Sequence, residues 1–376
     1  MLLKNAVILN DKFEYEAADV YIKDGKFEKI GKDIDICGED VCDMSGKKIL
    51  PGLINIHMHG AVGYNVTNAN HKAYNEIGKY LASTGTTSYL MAPATYLKED
   101  LIHYVKLIND SMKKGTEGAN LLGINMEGPY LNPDYKGAHR ADWLRTPKEV
   151  DFDEVNEAAG GNIRLVTLAP ELDGAMEFVK THKDKVKISL GHGGTDYEKC
   201  QEGFENGATQ VTHLFNAMPS IHHRKLSLIA AAFESGAMAE LICDGLHVDK
   251  TVVMMAYKMF GADRLIVIND SVMAAGLPDG IYSECGSEII VKDGIALLKN
   301  GTICGGTAPI FKCVKNLISW GICEQDAVKM ASFNAAKAID EKNKGKIAEG
   351  CDADFIAVDK EFSLTDVFIG GKRFEN

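Results

Sequence analysis

Apolar positions change their period twice along this chain. Over residues 3–9, 19–23 and 26–30 they alternate with polar ones, as half-buried strands do, and Asp24-Gly25 sits where a hairpin turn belongs. The same grammar returns at the far end, in Lys346-Ile347, residues 354–358 and residues 366–369 before Gly370-Gly371. Between these ends lie eight short runs rich in Ile, Leu and Val: 49–57, 86–91, 121–127, 163–169, 187–192, 209–213, 239–243 and 265–270. Segments of helical period separate them, for example 69–83, 98–114, 171–184, 195–205 and 249–260.

A strand apolar on both faces needs cover on both, which a parallel sheet flanked by helices supplies. Eight βα units in about 250 residues predict an α/β fold, a TIM-like (β/α)8 barrel, over residues 49–345. Residues 1–48 and 346–376 predict a small β-sandwich domain built from both termini. A doubly wound open sheet is the rival architecture, and the first run lacks the G-x-G-x-x-G turn such a sheet would carry.

Composition narrows the function. The 376 residues are 45% hydrophobic and 25% charged, ordinary for a soluble protein. With 41 basic against 53 acidic residues the net charge is −12, which speaks against nucleic-acid or anionic-membrane partners. An anionic small molecule would need a local basic cluster. The N-terminus has no signal-type apolar stretch, and no apolar run reaches membrane-spanning length. The nine cysteines include no C-x-x-C pair, which suits reduced thiols and a cytoplasmic location.

Several of the apolar runs end on polar residues of metal-binding type. The first closes on His57-Met58-His59, two imidazoles at i and i+2 that a strand would point to one side. The third ends on Glu127, the fifth on His192, the sixth on His213 and the eighth on Asp270. Taken singly, each has an ordinary explanation: a core histidine held by a carbonyl, a carboxylate bonded to loop amides, or a helix N-cap. Together they would share the C-terminal face of a barrel, where this fold places its active sites. Nitrogen and oxygen donors without thiolate suit Zn²⁺ first, with Fe²⁺, Mn²⁺ or Co²⁺ also fitting, as one or two ions. Asp270 would move protons as general base and then acid in hydrolysis of a C–N bond.

Longer words carry a resemblance. They are residues 51–60 (PGLINIHMHG), 126–129 (MEGP), 136–139 (KGAH), 168–171 (LAPE), 212–218 (THLFNAM), 222–224 (HHR), 243–248 (CDGLHV) and 275–280 (AGLPDG). In family order over nearly the whole chain, they resemble the amidohydrolase superfamily and, within it, the branch of N-acetylglucosamine-6-phosphate deacetylases. The resemblance implies a principal metal on Glu127, His192 and His213, a second-metal pair in His57 and His59, and catalysis by Asp270. It implies phosphate binding by Arg224 and His247, and a substrate contact from His139. Ala138, Asn216, Ala217, Ile303, Cys304 and Gly305 would line the sugar pocket. It also implies a homodimer acting on a phosphorylated amino sugar, with release of acetate.

The chain departs from the branch at Asn269 and Ser271 around Asp270, at Arg140-Ala141, at Lys225-Leu226-Ser227 and at Ala335. None of these removes a catalytic group. Other readings are a deaminase or amidase on the same barrel, a deacetylase for the galacto epimer, and a metal-free assembly protein. The last would have lost the ligands, and all are present.

Overall fold

The computed structural model describes residues 1–284 and 287–375. Eight parallel strands form its centre: β1 Leu53–Asn55, β2 Thr86–Met91, β3 Asn120–Glu127, β4 Ile163–Leu168, β5 Lys187–Leu190, β6 Gln210–Val211, β7 Met238–Ile242 and β8 Leu265–Ile268. Each pairs with the next in chain order. Ring closure is made just beyond β1 and β8, where Asp270 N donates to His57 O (3.1 Å) and His59 N to Ser271 O (2.7 Å). The hydrogen bonds that close the barrel thus run through three expected site residues.

Helices α1 His71–Ser83, α2 Lys98–Lys114, α3 Phe152–Ala158, α4 Ala175–His182, α5 Tyr197–Asn206, α6 Leu228–Ser235 and α7 Lys250–Phe260 fill the connections. Their starts follow local chemistry: Asn70, Asp196 and Asp249 accept from the first-turn amides of α1, α5 and α7. In α2 the buried Leu101, Val105 and Ile108 recur at helical spacing, acids open the helix and lysines end it. A further helix, α10, spans Phe333–Ala338, after α8 Ile310–Ser319 and α9 Glu324–Ala331. It plugs the end of the barrel opposite the site, where Asn334 Nδ2 donates to Ala262 O and Leu265 O.

The two ends of the chain meet in one eight-stranded sheet. Its strands are Leu2–Leu9, Tyr15–Lys23, Lys26–Gly31, Val41–Asp43, Lys48–Pro51, Phe355–Val358, Leu364–Ile369 and Lys372–Arg373. Asp24 (φ 50°) and Gly25 (φ 78°) form the expected hairpin turn. The sheet has its own apolar core, including Leu3, Ile8, Val20, Phe27, Phe355 and Phe368.

Two features differ from the sequence expectation. The run 49–57 is not one strand: Lys48–Pro51 pairs with Phe355–Val358 in the small sheet, and only Leu53–Asn55 belongs to the barrel. The chain crosses at Gly52, where a Cβ would lie 2.1 Å from Thr87 Oγ1, so the backbone can pass against β2 only without a side chain. The second feature is a four-stranded antiparallel sheet of Gly280–Glu284, Ser287–Lys292, Ile295–Leu298 and Ile303–Gly306, which no periodicity had indicated. Its last strand docks on the end of β8, with Gly306 N donating to Asp270 O (2.8 Å). Among the described residues, no helix is long and apolar enough to cross a membrane.

Candidate metal centre

Glu127 is the last residue of β3, and His192, His213 and Asp270 stand two residues past β5, β6 and β8. Beyond the strand ends the backbone turns sharply, with φ of 50° at His192, 27° at His213 and 47° at Asp270. Left-handed backbone at a residue with a Cβ costs roughly 1–3 kcal/mol and clusters at functional sites. Here it accompanies side chains that converge over the barrel mouth.

The Glu127 carboxylate is the centre of that convergence. Its Oε1 lies 3.1 Å from His192 Nε2, 3.1 Å from His213 Nε2 and 3.3 Å from His57 Nε2. Its Oε2 lies 3.1 Å from His59 Nε2 and 3.2 Å from His139 Nε2. Asp270 Oδ1 completes the ring at 3.2 Å from His59 Nε2 and 3.7 Å from His57 Nε2. His192 Nε2 and His213 Nε2 are themselves 3.0 Å apart. Tetrahedral ligands with bonds of about 2.0–2.2 Å stand roughly 3.3 Å from one another, so this spacing suits a shared ion.

The outer nitrogens of three candidate ligand histidines differ from that of His139, while Nδ1 of the fourth, His213, has no hydrogen-bond partner. Nδ1–H of His57 donates to Glu240 Oε2 (2.9 Å), that of His59 to Ala92 O (2.8 Å) and that of His192 to Tyr135 O (2.7 Å). Each of those bonds leaves a lone pair on the inward Nε2, the arrangement of metal-bound imidazole. His139 is the reverse. Its Nδ1 accepts the backbone N–H of Thr95 (3.1 Å), so the neutral ring carries its proton on Nε2. His139 therefore offers the centre a hydrogen-bond donor although it stands close enough to Glu127 and His192 to share an ion.

The electrostatics fit a cation. Burial alone would lower the basicity of His57 and His59, yet the Glu127, Glu240 and Asp270 carboxylates raise it, to about 10 at His59, so the pocket favours positive charge. Burial likewise pushes Asp270 up, and the hydrogen bond and charge of His59, with that of His57, more than reverse it. His57 Nε2, Glu127 Oε2 and Asp270 Oδ1 are fully buried and meet only the carboxylate and imidazole atoms of this cluster, at the distances given above. Buried polar atoms in this state are costly, and divalent ions bound by these donors would satisfy them.

A cleft of about 250 Å³ opens over the centre. It brings together His59, Glu127, His192, His213, Asp270, Ala138, His139, Asn216, Ala217, His247, Ile303, Cys304 and Gly305, nearly all the residues singled out in the sequence. Arg224 is not among its walls. It lies in an exposed loop beside His223. His247 Nδ1 pairs with Asp244 Oδ2 (2.7 Å), and its Nε2 has no partner. Burial lowers the basicity of His247, and Asp244 more than compensates, so its pKa is raised. A larger cleft of about 840 Å³, between α1 and residues 369–375, contains none of these groups.

The amidohydrolase-family sequence pattern matches residues 49–374. The chain belongs to the amidohydrolase family. It is 32% identical over 375 residues to an N-acetylglucosamine-6-phosphate deacetylase of Lysinibacillus sphaericus, covering 99% of this chain and 97% of the relative. It is 28% identical over 336 residues to an N-acetylgalactosamine-6-phosphate deacetylase of Escherichia coli O157:H7, covering 88% and 89%. The N-acetyl-D-glucosamine-6-phosphate deacetylase of Mycobacterium smegmatis, solved as an aspartate-to-alanine mutant with N-acetyl-D-glucosamine-6-phosphate, superposes with a TM-score of 0.93. That match has 27% identity and covers 100% of this chain and 99% of the other. Amidohydrolases depend on divalent metal, and this amidohydrolase carries residue groups able to hold it.

Three residues that support the site were not singled out from sequence: Glu240 behind His57, Asp244 behind His247 and Thr95 behind His139. Glu240 left a signal, as the one charge inside the apolar run of β7. The departures from the branch are absorbed locally. Asn269 Oδ1 accepts from Asn55 Nδ2 (2.7 Å), tying β8 to β1, and Arg140 stacks on Trp143 at 4.3 Å.

Proposed function

We propose that this amidohydrolase is a deacetylase that hydrolyses N-acetyl-D-glucosamine 6-phosphate to D-glucosamine 6-phosphate and acetate in amino-sugar catabolism. One observation carries the proposal: the ligand set, the donor His139 and the basic His247 share a single cleft of sugar-phosphate size. Glu127, His192 and His213 would hold the principal ion, and His57 and His59, beside Asp270, a second. Zn²⁺ is the proposed metal, and Fe²⁺, Mn²⁺ or Co²⁺ suit the same donors. A bound divalent ion makes water acidic enough to attack at neutral pH and polarises the amide carbonyl.

The chain's own groups do the rest. Asp270 takes a proton from the attacking water and returns it to the leaving amine nitrogen. His139 donates from Nε2 to the acyl oxygen as negative charge develops there. Ala138, Asn216, Ala217 and residues 303–305 wall the sugar. His247 donates from Nε2 to the phosphate when protonated, and Arg224 supplies the guanidinium for the same group. Arg224 stands outside the cleft in the single chain, next to the exposed Ile221 and Leu226. Those apolar side chains support a homodimer that covers this loop. A cytoplasmic location accords with the phosphorylated substrate. The single eight-stranded terminal sheet supports a small domain of residues 1–48 and 346–376, to which the strand Lys48–Pro51 adds residues 49–51, so that the catalytic barrel, expected over 49–345, begins at Leu53.

The galactosamine-type relative favours a second reading, in which the galacto epimer is the substrate. Acetate release from the 6-phosphates of N-acetyl-glucosamine and N-acetyl-galactosamine, and from unphosphorylated N-acetylglucosamine, separates the alternatives. The expected order of kcat/KM is gluco phosphate, galacto phosphate, then free sugar. Equal values with and without phosphate would remove the phosphate assignment, and a galacto preference would replace the substrate.

A further inference from the structure

Strand β7 reads Met-Ala-Glu-Leu-Ile, and Glu240 is fully buried. A carboxylate in that environment costs several kcal/mol unless positive charge and hydrogen bonds offset it. Among the described residues its ion-pair partner is His57, with no lysine or arginine against it. Glu240 Oε2 lies 2.9 Å from His57 Nδ1 and also accepts the backbone N–H of His213 at 3.3 Å. One carboxylate oxygen thus holds a residue from each half of the metal centre. It stands behind both, on the side of the imidazole away from Glu127.

We propose that Glu240 is a positioning residue for the second ion. By accepting the Nδ1 proton of His57 it fixes the ring tautomer and turns the Nε2 lone pair toward Glu127 Oε1 (3.3 Å) and Asp270 Oδ1 (3.7 Å). Its charge has an equally direct consequence. Glu127, Glu240 and Asp270 place three carboxylates around imidazoles that bind metal only when neutral. One divalent ion leaves such a shell net negative; a second reverses the sign. Glu240 therefore favours occupancy of the His57/His59 position through both orientation and charge. The proposal rests on the reading of His57 and His59 as metal ligands.

The test is metal binding itself. Wild-type protein, Glu240→Gln and Glu240→Asp are equilibrated with graded free Zn²⁺, and bound metal per subunit is measured alongside thermal unfolding. Wild type is expected to bind two ions. Glu240→Gln is expected to keep one ion at wild-type affinity and to lose roughly 10–100-fold in affinity for the other, the usual cost of removing such a partner. Glu240→Asp, which retains the charge, should hold the second ion better than Glu240→Gln. In a His57→Asn background, Glu240→Gln should have no further effect on metal content. Unchanged affinity for both ions in Glu240→Gln would overturn the proposal, as would equal weakening of both with a lowered Tm, the mark of a purely structural role. So would a Glu240→Asp no better than Glu240→Gln, or an undiminished effect in the His57→Asn background. A wild type that binds one ion would instead defeat the two-ion reading on which the proposal stands.

Discussion

Buried charge is handled in opposite ways at the two ends of the barrel. At the seam with the small sheet, Lys344 Nζ bridges Asp352 (3.0 Å) and Asp354 (2.5 Å), and Lys47 and Arg373 both pair with Asp366. Those carboxylates are also hydrogen-bonded, Asp354 Oδ1 by Gly370 N at 2.7 Å and Asp366 Oδ2 by Thr365 Oγ1 at 2.9 Å. At the mouth, among the described residues, Glu127, Glu240 and Asp270 pair with imidazoles and with no lysine or arginine, Glu240 also accepting the backbone N–H of His213. Similar residue types therefore carry different meanings. Lysine- and arginine-paired charges hold the two sheets together, whereas the convergent carboxylates and imidazoles at the mouth form a donor set that suits an ion.

That contrast can be broken by mutation. The largest effect is expected at the mouth: Asp270→Asn should keep the fold and the ion on Glu127, His192 and His213 while kcat falls about 10²–10⁴-fold, the range of a general acid–base group. Steady-state kinetics with metal quantification checks it. At the seam the sign is reversed. Lys344→Met should cost about 3–5 kcal/mol of stability by leaving the buried Asp354 carboxylate without its cation, with kcat/KM within about twofold of wild type at a temperature where both are folded. Denaturant titration reads the first quantity.

Smaller effects sharpen the comparison. His247→Gln should raise KM for the phosphorylated sugar roughly tenfold or more, the worth of a charge-assisted hydrogen bond, and leave kcat nearly unchanged. An equal loss with unphosphorylated sugar would argue against phosphate contact. The smallest effect concerns acid. Burial pushes Asp366 up, but Lys47, Thr365 and Arg373 pull it below its ordinary 3.8. A depressed carboxyl stabilises the fold above the unfolded value and loses that contribution as pH falls through the lowered one. Asp366→Asn should therefore flatten the acid limb of a Tm–pH profile below about pH 4.

Much of the mouth was legible because strand ends and chemistry coincide. A run of Ile, Leu and Val closing on His or Glu marks both where a strand stops and what it presents, and this exposed Glu127, His192, His213 and Asp270. The limits were equally physical. The split at Gly52 depends on contact with Thr87, some thirty-five residues away in sequence, which periodicity does not encode. The inserted sheet over residues 280–306 has short strands whose pairing is decided by docking on β8. Histidine tautomers depend on neighbours such as Thr95 and Ala92, so the distinction between His139 and the candidate ligand His59 emerges only in three dimensions. Arg224, grouped with His247 by resemblance, is separated from the cleft by the course of its loop.

The central claim is that the cluster of carboxylates and imidazoles around Glu127 becomes a working centre when it binds metal. The most direct measurement is acetate release from N-acetyl-D-glucosamine 6-phosphate by chelator-stripped protein titrated with Zn²⁺, Fe²⁺, Mn²⁺ or Co²⁺. The account predicts negligible turnover in the stripped protein and recovery that saturates at one or two ions per subunit. Full activity in metal-free protein, or no recovery with any of the four ions in a folded sample, would contradict it.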